Sequence, residues 1–118
     1  MSPDLATERC VPCEQGTPPL SVDQAQALLA ELDGAWQLAR DGRVLTRQIT
    51  FKTFARAMAF LQRLAEIAER EGHHPDFCLE RWNHVNLSLT THAIGGLSRN
   101  DFVLAAKLQA AIRPPADT

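Results

Sequence analysis

The feature that most constrains the fold is the order in which hydrophobic periodicities follow one another along the chain. The three-and-four spacing that is typical of helices occurs three times, in segments that begin near residues 21, 53 and 98. Between them lie two stretches, residues 36–51 and 77–91, that have the pattern of β-hairpins. The order helix, two strands, helix, two strands, helix predicts an α+β domain in which helices cover one face of a four-stranded antiparallel sheet.

Capping residues mark where the predicted helices begin and end. Ser21 and Gln24 have the spacing of a capping box, in which each side chain satisfies a backbone N–H of the other residue. We expect this helix to stop at Gly34, and the longest helix to be capped by Thr53 and to end at Gly72. The residues expected on the buried faces are Val22, Ala25, Leu28, Leu29 and Leu32 in the first helix, and Phe54, Ala57, Met58, Leu61, Leu64, Ala65 and Ala68 in the second.

Turn sequences predict where the strands reverse. Asp41-Gly42 is typical of a type I′ turn, in which both residues have positive φ. The second hairpin is expected over residues 77–82 and 84–91, with its turn near Asn83-His84. The residues expected on buried strand faces are Leu45, Ile49 and Phe51 in the first hairpin, and Val85, Leu87 and Leu89, alternating with Asn86, Ser88 and Thr90, in the second.

The last helix is predicted to begin at Ser98, because Asp101 stands three residues later, where a carboxylate can cap the helix. It is expected to end before Pro114-Pro115. Its predicted inner face consists of Leu104, Ala105, Leu108 and Ile112.

The remaining segments set the predicted domain boundaries. Residues 1–19 are interrupted by Pro12, Gly16, Pro18 and Pro19 and show no apolar period, so we expect a flexible or loosely docked arm. Residues 20–113 are expected to form the folded domain and residues 114–118 a tail. A chain of 118 residues, 45% of them hydrophobic, suits one domain with a modest core.

Charge and hydropathy narrow the classes of partner. The chain carries 12 Lys and Arg against 14 Asp and Glu, a formal net charge of −2, without the basic cluster that nucleic-acid binding requires. No apolar run approaches the roughly 18–20 residues needed to cross a bilayer. Residues 1–5 show neither the basic nor the apolar part of a secretory signal. We therefore expect a soluble, cytoplasmic protein that binds neither nucleic acid nor membrane.

The cysteines suit the same compartment. Cys10, Cys13 and Cys78 are an odd and sparse set, which does not form a disulfide framework. The CxxC at residues 10–13 lacks the second pair of a zinc ribbon, and it lacks the strand–helix context of a thioredoxin-type site. We expect free thiols in the arm, with metal binding or redox use as the alternatives.

The histidines are the most informative residues, because all four lie between positions 73 and 92. His73 and His74 precede Pro75, which favours extended backbone and so places their two imidazoles on opposite sides. Glu69, in the last turn of the long helix, is close enough to hydrogen-bond a ring and fix its tautomer. His92 has the parity of the polar residues of its strand, and we expect it on the polar face, converging with His73.

Imidazole has an ordinary pKa of about 6.5, so several imidazoles in one cleft supply both a proton donor and a proton acceptor near neutral pH. A zinc site is the alternative, but HExxH is absent and adjacent histidines seldom ligate one ion well. His84, near the hairpin tip, is expected to face solvent without a role. No Gly-rich phosphate loop and no serine nucleophile elbow is present.

The spacing of these residues resembles the signature of the pterin-4α-carbinolamine dehydratases. The resemblance rests on Glu69-x3-His73-His74-Pro75-x6-Trp82-x9-His92-x8-Asp101, and on Trp36, Phe51-Lys52-Thr53-Phe54, Thr90-Thr91-His92 and Gly95-Gly96-Leu97-Ser98. It covers roughly residues 20–112. The interval between Pro75 and Trp82 is one residue longer than in some relatives, and the cysteines of the arm lie outside the match.

What the resemblance implies is a hydro-lyase without a metal or cofactor. It would dehydrate 4a-hydroxytetrahydropterin to quinonoid dihydropterin, after an aromatic amino acid hydroxylase has oxidised tetrahydropterin. By the same resemblance His73 and His92 are the acid/base pair, in an order that the sequence does not assign, and His74 holds and polarises the pterin. Thr90 and Thr91 would also bind substrate.

Three further residues are supporting ones by this resemblance. Glu69 would orient a histidine, and Trp82 would pack or form a wall of the cleft. Asp101 is expected chiefly to cap the last helix.

A binding protein is the alternative class, since some relatives are dimerisation cofactors of a homeodomain transcription factor and others assist Rubisco assembly. The intact set of three histidines favours catalysis. The resemblance also implies a homodimer or homotetramer, for which an exposed sheet edge is the sequence-level reason.

Overall fold

The computed structural model describes residues 4–11 and 17–112. Its elements in chain order are α1 (Asp4–Thr7), α2 (Val22–Leu29), β1 (Gln37–Ala39), β2 (Val44–Thr50), α3 (Phe54–Glu71), β3 (Asp76–Glu80), β4 (His84–Leu89), a 3-10 helix (His92–Ile94) and α4 (Arg99–Ile112). The strands form one antiparallel sheet in the order β1-β2-β4-β3, and helices cover one of its faces. The predicted α+β class and element order are confirmed, with α1 and the 3-10 helix as additions.

The covered face of the sheet is apolar because alternate residues of the two central strands point into the core. Leu45 pairs with Leu89, and Ile49 pairs with Val85. All four side chains are buried. The intervening residues of β4 are only half-buried, so the predicted alternation is confirmed as far as the strand extends.

The helix α2 begins as predicted and ends early. Ser21 Oγ accepts a hydrogen bond from Gln24 N–H at 3.1 Å, and the Gln24 side chain accepts one from Ser21 N–H at 2.9 Å. The predicted stop at Gly34 is wrong, because the helix ends at Leu29. The next turn is tighter, with Leu32 N–H bonded to the carbonyl three residues back, and it still buries Leu32 in the core.

The helix α3 has the predicted ends but a different buried face. Thr53 Oγ1 caps it by accepting from Arg56 N–H at 3.0 Å, and Gly72 ends it with a φ of 67°. The side chains of Phe54, Met58 and Ala65, which were expected in the core, are exposed. The buried residues are Ala57, Phe60, Leu61, Leu64, Ile67, Ala68 and Glu71. Apolar residues occupy more than one face of this helix, so their spacing alone does not indicate which face the sheet covers.

Both hairpin loops differ from the predicted turns. Ala39 pairs with Val44, so residues 40–43 form a four-residue loop in which Arg40, Asp41 and Gly42 all have positive φ. A two-residue type I′ turn at Asp41-Gly42 is therefore wrong. In the second hairpin Glu80 pairs with His84, which places the loop at residues 81–83, and His84 already belongs to β4.

The two ends of the chain complete the helical layer. The predicted inner face of α4 is confirmed, since Leu104, Ala105, Leu108 and Ile112 are buried. Leu5 of α1 is buried in the same core, so residues 4–11 are docked, and of the two expected alternatives, a flexible arm or a loosely docked one, these residues do not form the flexible arm. Residues 12–16, with Cys13, and the predicted tail lie outside the described residues, and the domain boundaries stay a prediction. None of the described helices is long and apolar enough to span a membrane.

Candidate active site

A cavity of about 420 Å³ lies where the end of α3, the segment after β4 and the docked residues 4–11 meet. The structure brings His73, His74 and His92 together in it, although 17 residues separate the second from the third. The full lining consists of Cys10, Val11, Glu71, Gly72, His73, His74, Thr90, Thr91, His92, Ala93 and Asn100.

Two glycines shape the backbone that carries these histidines. Gly72 adopts the left-handed conformation that ends α3, so that His73 and His74 follow outside the helix, and His73 N–H still donates to the Ala68 carbonyl oxygen at 3.3 Å. On the opposite side, Gly96 O accepts a hydrogen bond from Thr91 N–H at 2.9 Å, which closes the loop that begins with His92. A Cβ on Gly96 would lie 2.8 Å from Pro19 Cβ, so only glycine permits this close approach.

His73 is held by a buried carboxylate. Its Nε2 lies 2.6 Å from Asp101 Oδ1, and the Asp101 side chain is 0% exposed against 14% for His73. The other carboxylate oxygen, Oδ2, accepts hydrogen bonds from Thr91 Oγ1 at 2.8 Å and from Ser98 N–H at 2.9 Å. Asp101 therefore caps α4, as predicted, and also binds His73, which the sequence analysis did not foresee.

This contact defines the tautomer of His73. An ionised carboxylate can only accept hydrogen bonds, so His73 Nε2 carries a proton and Nδ1 is the nitrogen that can exchange one. A histidine held in this way remains paired whether it is neutral or protonated.

His74 has a carboxylate partner too, but on the surface. Its Nε2 lies 2.6 Å from Glu69 Oε2, with 60% of the His74 side chain and 78% of the Glu69 side chain exposed. The expectation that Glu69 contacts a histidine ring holds, and the ring is that of His74.

His92 reaches the cavity from the 3-10 helix and not from a strand. β4 ends at Leu89, so the alternation that was used to place His92 on the polar strand face does not extend to it. Asn86 and Ser88, of the same parity, line a different cavity on the open face of the sheet. The prediction that His92 lies on the polar strand face with Asn86 and Ser88 is therefore wrong. His92 and His73 nevertheless line the same cavity.

Thr90 and Thr91 line the cavity, but their hydroxyl groups have partners within the protein. Thr90 Oγ1 donates to the Arg43 carbonyl oxygen at 2.8 Å. Thr91 is buried, and its hydroxyl bonds both Asp101 and Ser98 Oγ, the latter at 2.8 Å. The two threonines thus hold the surrounding structure in place.

Trp82 and His84 do not line the cavity. Trp82 is exposed in the β3–β4 loop with positive φ, so the expected packing or cleft-wall position is wrong. His84 is also absent from the lining, and it is half-buried rather than solvent-facing, with Nδ1 unpaired within the described structure.

Six lining residues are not among the predicted site residues: Cys10, Val11, Glu71, Gly72, Ala93 and Asn100. Burial acts to raise the pKa of Glu71, but the hydrogen bond from Cys10 N–H and the charges of Lys107, Arg9 and Arg70 outweigh it, so the pKa lies below its ordinary value. The sequence offers one indication that Glu71 and Asn100 belong to the site: they lie close to His73 and Asp101 in the chain.

The described residues include two of the three cysteines that the sequence analysis considers for metal binding or redox use. Cys78 is a free thiol, the Cys10 thiol lies 3.6 Å from the Asn100 carbonyl oxygen, and Cys13 lies outside the described residues. Within residues 4–11 and 17–112 no three His, Cys, Asp or Glu side chains are arranged to hold a metal ion.

A second, larger cavity of about 680 Å³ lies on the open face of the sheet. Residues of β1, β2, β3 and β4 line it, among them Gln48, Cys78 and Asn86, and no histidine does. The smaller cavity is therefore the candidate active site, because three histidines line it and imidazole exchanges protons near neutral pH.

The chain is similar to known proteins over most of its length. The model of the family described as pterin 4 alpha carbinolamine dehydratase matches residues 18–111. A Nitrosomonas eutropha protein, provisionally named pterin-4-alpha-carbinolamine dehydratase, is 47% identical over 105 residues, which cover 89% of this chain and 90% of the relative. Arabidopsis thaliana has a mitochondrial pterin-4-alpha-carbinolamine dehydratase 2 that is also 47% identical, over 89% of this chain and 57% of its own length.

Solved structures show the same fold. The crystal structure of a transcriptional coactivator/pterin dehydratase from Brucella melitensis superposes with a TM-score of 0.73 at 31% identity, and covers 79% of this chain and 97% of that one. A pterin dehydratase-like protein, identified as a RuBisCO assembly factor in the alpha-carboxysome, shares the fold with a TM-score of 0.58 at 24% identity, over 67% and 90% of the two chains. The chain belongs to the pterin-4-alpha-carbinolamine dehydratases, a family of hydro-lyases.

Proposed function

We propose that this chain dehydrates 4a-hydroxytetrahydropterin to quinonoid dihydropterin, with His73 and His92 as the acid/base pair and His74 as a pterin-binding residue. The observation that carries the proposal is that all three imidazoles line one cavity of about 420 Å³. Pterin is a bicyclic ring, and a pocket of this size is within the range of small-molecule sites.

The reaction needs two proton transfers, one at the hydroxyl oxygen and one at N5, and both atoms are bonded to C4a. The hydroxyl group on C4a is a poor leaving group, so it must receive a proton and depart as water. N5 loses its proton as its lone pair forms the C4a=N5 double bond, which balances the proton that was added. Two histidines can perform these steps, and general acid–base catalysis of this kind typically contributes about 10²–10⁴-fold.

Asp101 supports His73 in either role. It accepts the hydrogen bond from Nε2–H, so that Nδ1 is the nitrogen left to exchange a proton with the substrate. The geometry is compatible with either assignment of acid and base to His73 and His92.

Stopped-flow absorbance on freshly formed 4a-hydroxytetrahydropterin tests the proposal. The wild-type chain should accelerate dehydration strongly over the spontaneous reaction. The double variant His73→Ala plus His92→Ala should lie close to that background. His84→Ala is the matched control, since it removes an imidazole that does not line the cavity, and it should retain the wild-type rate. Equal rates for the wild type and the double variant would overturn the proposal.

The proposed chemistry uses no metal, because the N5 lone pair itself expels the protonated hydroxyl group and no Lewis acid is needed. Dialysis against a chelator should leave the rate unchanged. Stoichiometric zinc in the purified protein, with activity lost on chelation and restored by zinc, would contradict this part of the proposal.

We also propose a cellular setting and a state of assembly for this chain. The substrate would come from an aromatic amino acid hydroxylase in tetrahydrobiopterin recycling, and we expect cytoplasmic location and a homodimer or homotetramer. Support for self-association comes from β3, a strand paired only on its β4 side in the described sheet, on which Phe77 is exposed. Light scattering after gel filtration tests this, and a monomer at micromolar concentration would contradict it.

A further inference from the structure

Residues 4–11, which we name the docked arm, precede the residues that the family model matches. They follow the surface of α4 and end at the candidate active site. Leu5 is fully buried and anchors the first turn of the docked arm in the core. A segment that is held in this way has a fixed position relative to the cavity.

Polar contacts fix the first half of the docked arm to α4. Lys107 Nζ donates to the Ala6 carbonyl oxygen at 2.7 Å. Arg99 forms a two-point ion pair with Glu8, in which Nε and Nη2 lie 2.8 and 2.6 Å from the two carboxylate oxygens. The hydrogen bond from Arg99 lowers the pKa of Glu8, so this carboxylate is ionised at neutral pH. These contacts hold the docked arm along the helix that carries Asp101.

The second half is bound by two buried side chains of the folded domain. Cys10 N–H donates to Glu71 Oε1 at 2.9 Å. The Asn100 side-chain amide accepts from Val11 N–H at 2.9 Å and donates to the Val11 carbonyl oxygen. Asn100 thus bonds both backbone groups of one residue.

Glu71 and Asn100 are buried side chains that have hydrogen-bond partners in the docked arm. Glu71 also forms ion pairs with Arg9 at 3.4 Å and with Lys107 at 3.8 Å. Without the arm, Glu71 would lose both the Cys10 N–H and the Arg9 charge. A buried polar group that loses its partner is costly, so these two side chains specify the docked position.

The same two residues adjoin the pair that holds the proposed catalytic histidine. Glu71 lies two residues before His73, and Asn100 immediately precedes Asp101. Cys10 and Val11, bound by them, line the cavity together with the three histidines. Val11 is 64% exposed, so its apolar side chain at this position contributes little to folding and is free to contact a ligand.

We propose that the docked arm is part of the pterin-binding site: Cys10 and Val11 form a wall against the pterin ring, and Glu71 and Asn100 position that wall relative to His73. The inference rests on the proposed function, because it assigns the wall to the same substrate. The substrate gains van der Waals contact with these two side chains, and the proton transfers themselves do not involve them.

The first test compares two exposed valines. Val11→Ser removes apolar contact in the cavity, whereas Val22→Ser, at a valine that is 46% exposed and outside the cavity lining, is the matched control. We expect Val11→Ser to raise KM for the pterin carbinolamine about 3–10-fold with kcat nearly unchanged, and Val22→Ser to change neither. Equal KM values for the two variants and the wild type would overturn the inference.

The second test uses the native thiols of Cys10 and Cys78, so that no residue lining either cavity is mutated. In a Cys13→Ser background, the rates at which Cys10 and Cys78 are alkylated are measured by peptide mass spectrometry with and without saturating 7,8-dihydropterin. The pterin should slow alkylation of Cys10 at least about 5-fold and leave Cys78, on the open sheet face, unchanged.

The outcomes separate this inference from the proposed function. If the pterin binds, and His92→Ala weakens its binding, but Cys10 is not protected, the docked arm is not part of the site and the catalytic proposal stands. If the pterin protects Cys78 instead, it occupies the open sheet face, and both proposals are wrong.

Discussion

Two neighbouring histidines of this protein have carboxylate partners at the same distance but in opposite environments. His73 Nε2 and His74 Nε2 each lie 2.6 Å from a carboxylate oxygen. Asp101, the partner of His73, is 0% exposed, whereas Glu69, the partner of His74, is 78% exposed. The buried carboxylate is itself held by Thr91 and Ser98, and the exposed one lies in water.

The difference shows that distance alone does not measure what a contact contributes. Water screens the exposed pair, and such pairs are usually worth about 0–1 kcal/mol. Breaking a buried pair by removing one partner typically costs about 3–5 kcal/mol, because it leaves a buried charge without compensation. We therefore expect His73 to be a fixed group that moves a proton, and His74 to be an adjustable group that binds the ring.

The largest expected difference is between the histidines themselves. His73→Ala should lower kcat about 10²–10⁴-fold, because it removes one of the two proton-transfer groups. His74→Ala should mainly raise KM, since it removes a binding contact. Steady-state kinetics on the carbinolamine provide both constants, and a larger loss of kcat in His74→Ala than in His73→Ala would reverse the assignment.

The next difference is between their partners, which can be altered by the same chemical change. Asp101→Asn should lower kcat roughly 10–100-fold, since a hydrogen bond to a charged group is worth about 1.5–3 kcal/mol. Glu69→Gln should stay within about 2-fold of the wild type, because its contact is screened by water. Thermal unfolding of both variants separates loss of the histidine contact from loss of the fold, and equal kinetic effects would show that burial is not what distinguishes the two pairs.

A smaller effect is expected from the hydroxyl group that holds Asp101. Thr91→Val removes a donor to a fully buried carboxylate and should lower the free energy of unfolding by about 1–3 kcal/mol. Thr90→Val removes a bond to the Arg43 carbonyl oxygen at a less buried position, so its effect should be smaller. Urea unfolding measures both, and a greater loss in Thr90→Val would contradict the central position of Asp101.

The smallest effect is expected in the free energy of unfolding at acidic pH. The pKa of Glu71 in the folded chain is below its ordinary value of about 4.5, so its stabilising contribution is complete above that pH and is lost as pH falls through the folded-state pKa. Glu71→Gln should therefore lose less stability than the wild type between pH 5 and pH 3. Glu8→Gln, at a more exposed pair on the docked arm, should flatten the profile less. Unfolding free energies across this range test both, and parallel profiles for the wild type and Glu71→Gln would contradict the prediction.

The features that could be predicted from the sequence are those that a few neighbouring residues determine. Ser21 with Gln24, Thr53 and Gly72 form caps and stops with partners at most four residues away, so their spacing is sufficient. The alternation in β4 likewise identifies its buried face. The spacing of the histidines is sufficient to identify the family, but it does not predict which side chains the histidines contact.

The features that could not be predicted depend on distances between remote segments. Asp101 reaches across 28 residues to His73, and Asn100 across 89 to Val11. No local pattern distinguishes these contacts from ordinary helix capping or from a flexible arm. The exposed face of α3 could not be predicted for a related reason, since Phe54 and Met58 have the helical spacing of core residues but are 53% and 41% exposed.

The most direct test is a crystal structure of the chain with bound 7,8-dihydropterin. The ring should lie in the cavity of about 420 Å³, with C4a and N5 within hydrogen-bonding reach, directly or through one water, of the His73 and His92 imidazoles. A ring bound instead in the cavity of about 680 Å³ on the open sheet face, or one that contacts neither imidazole, would contradict it.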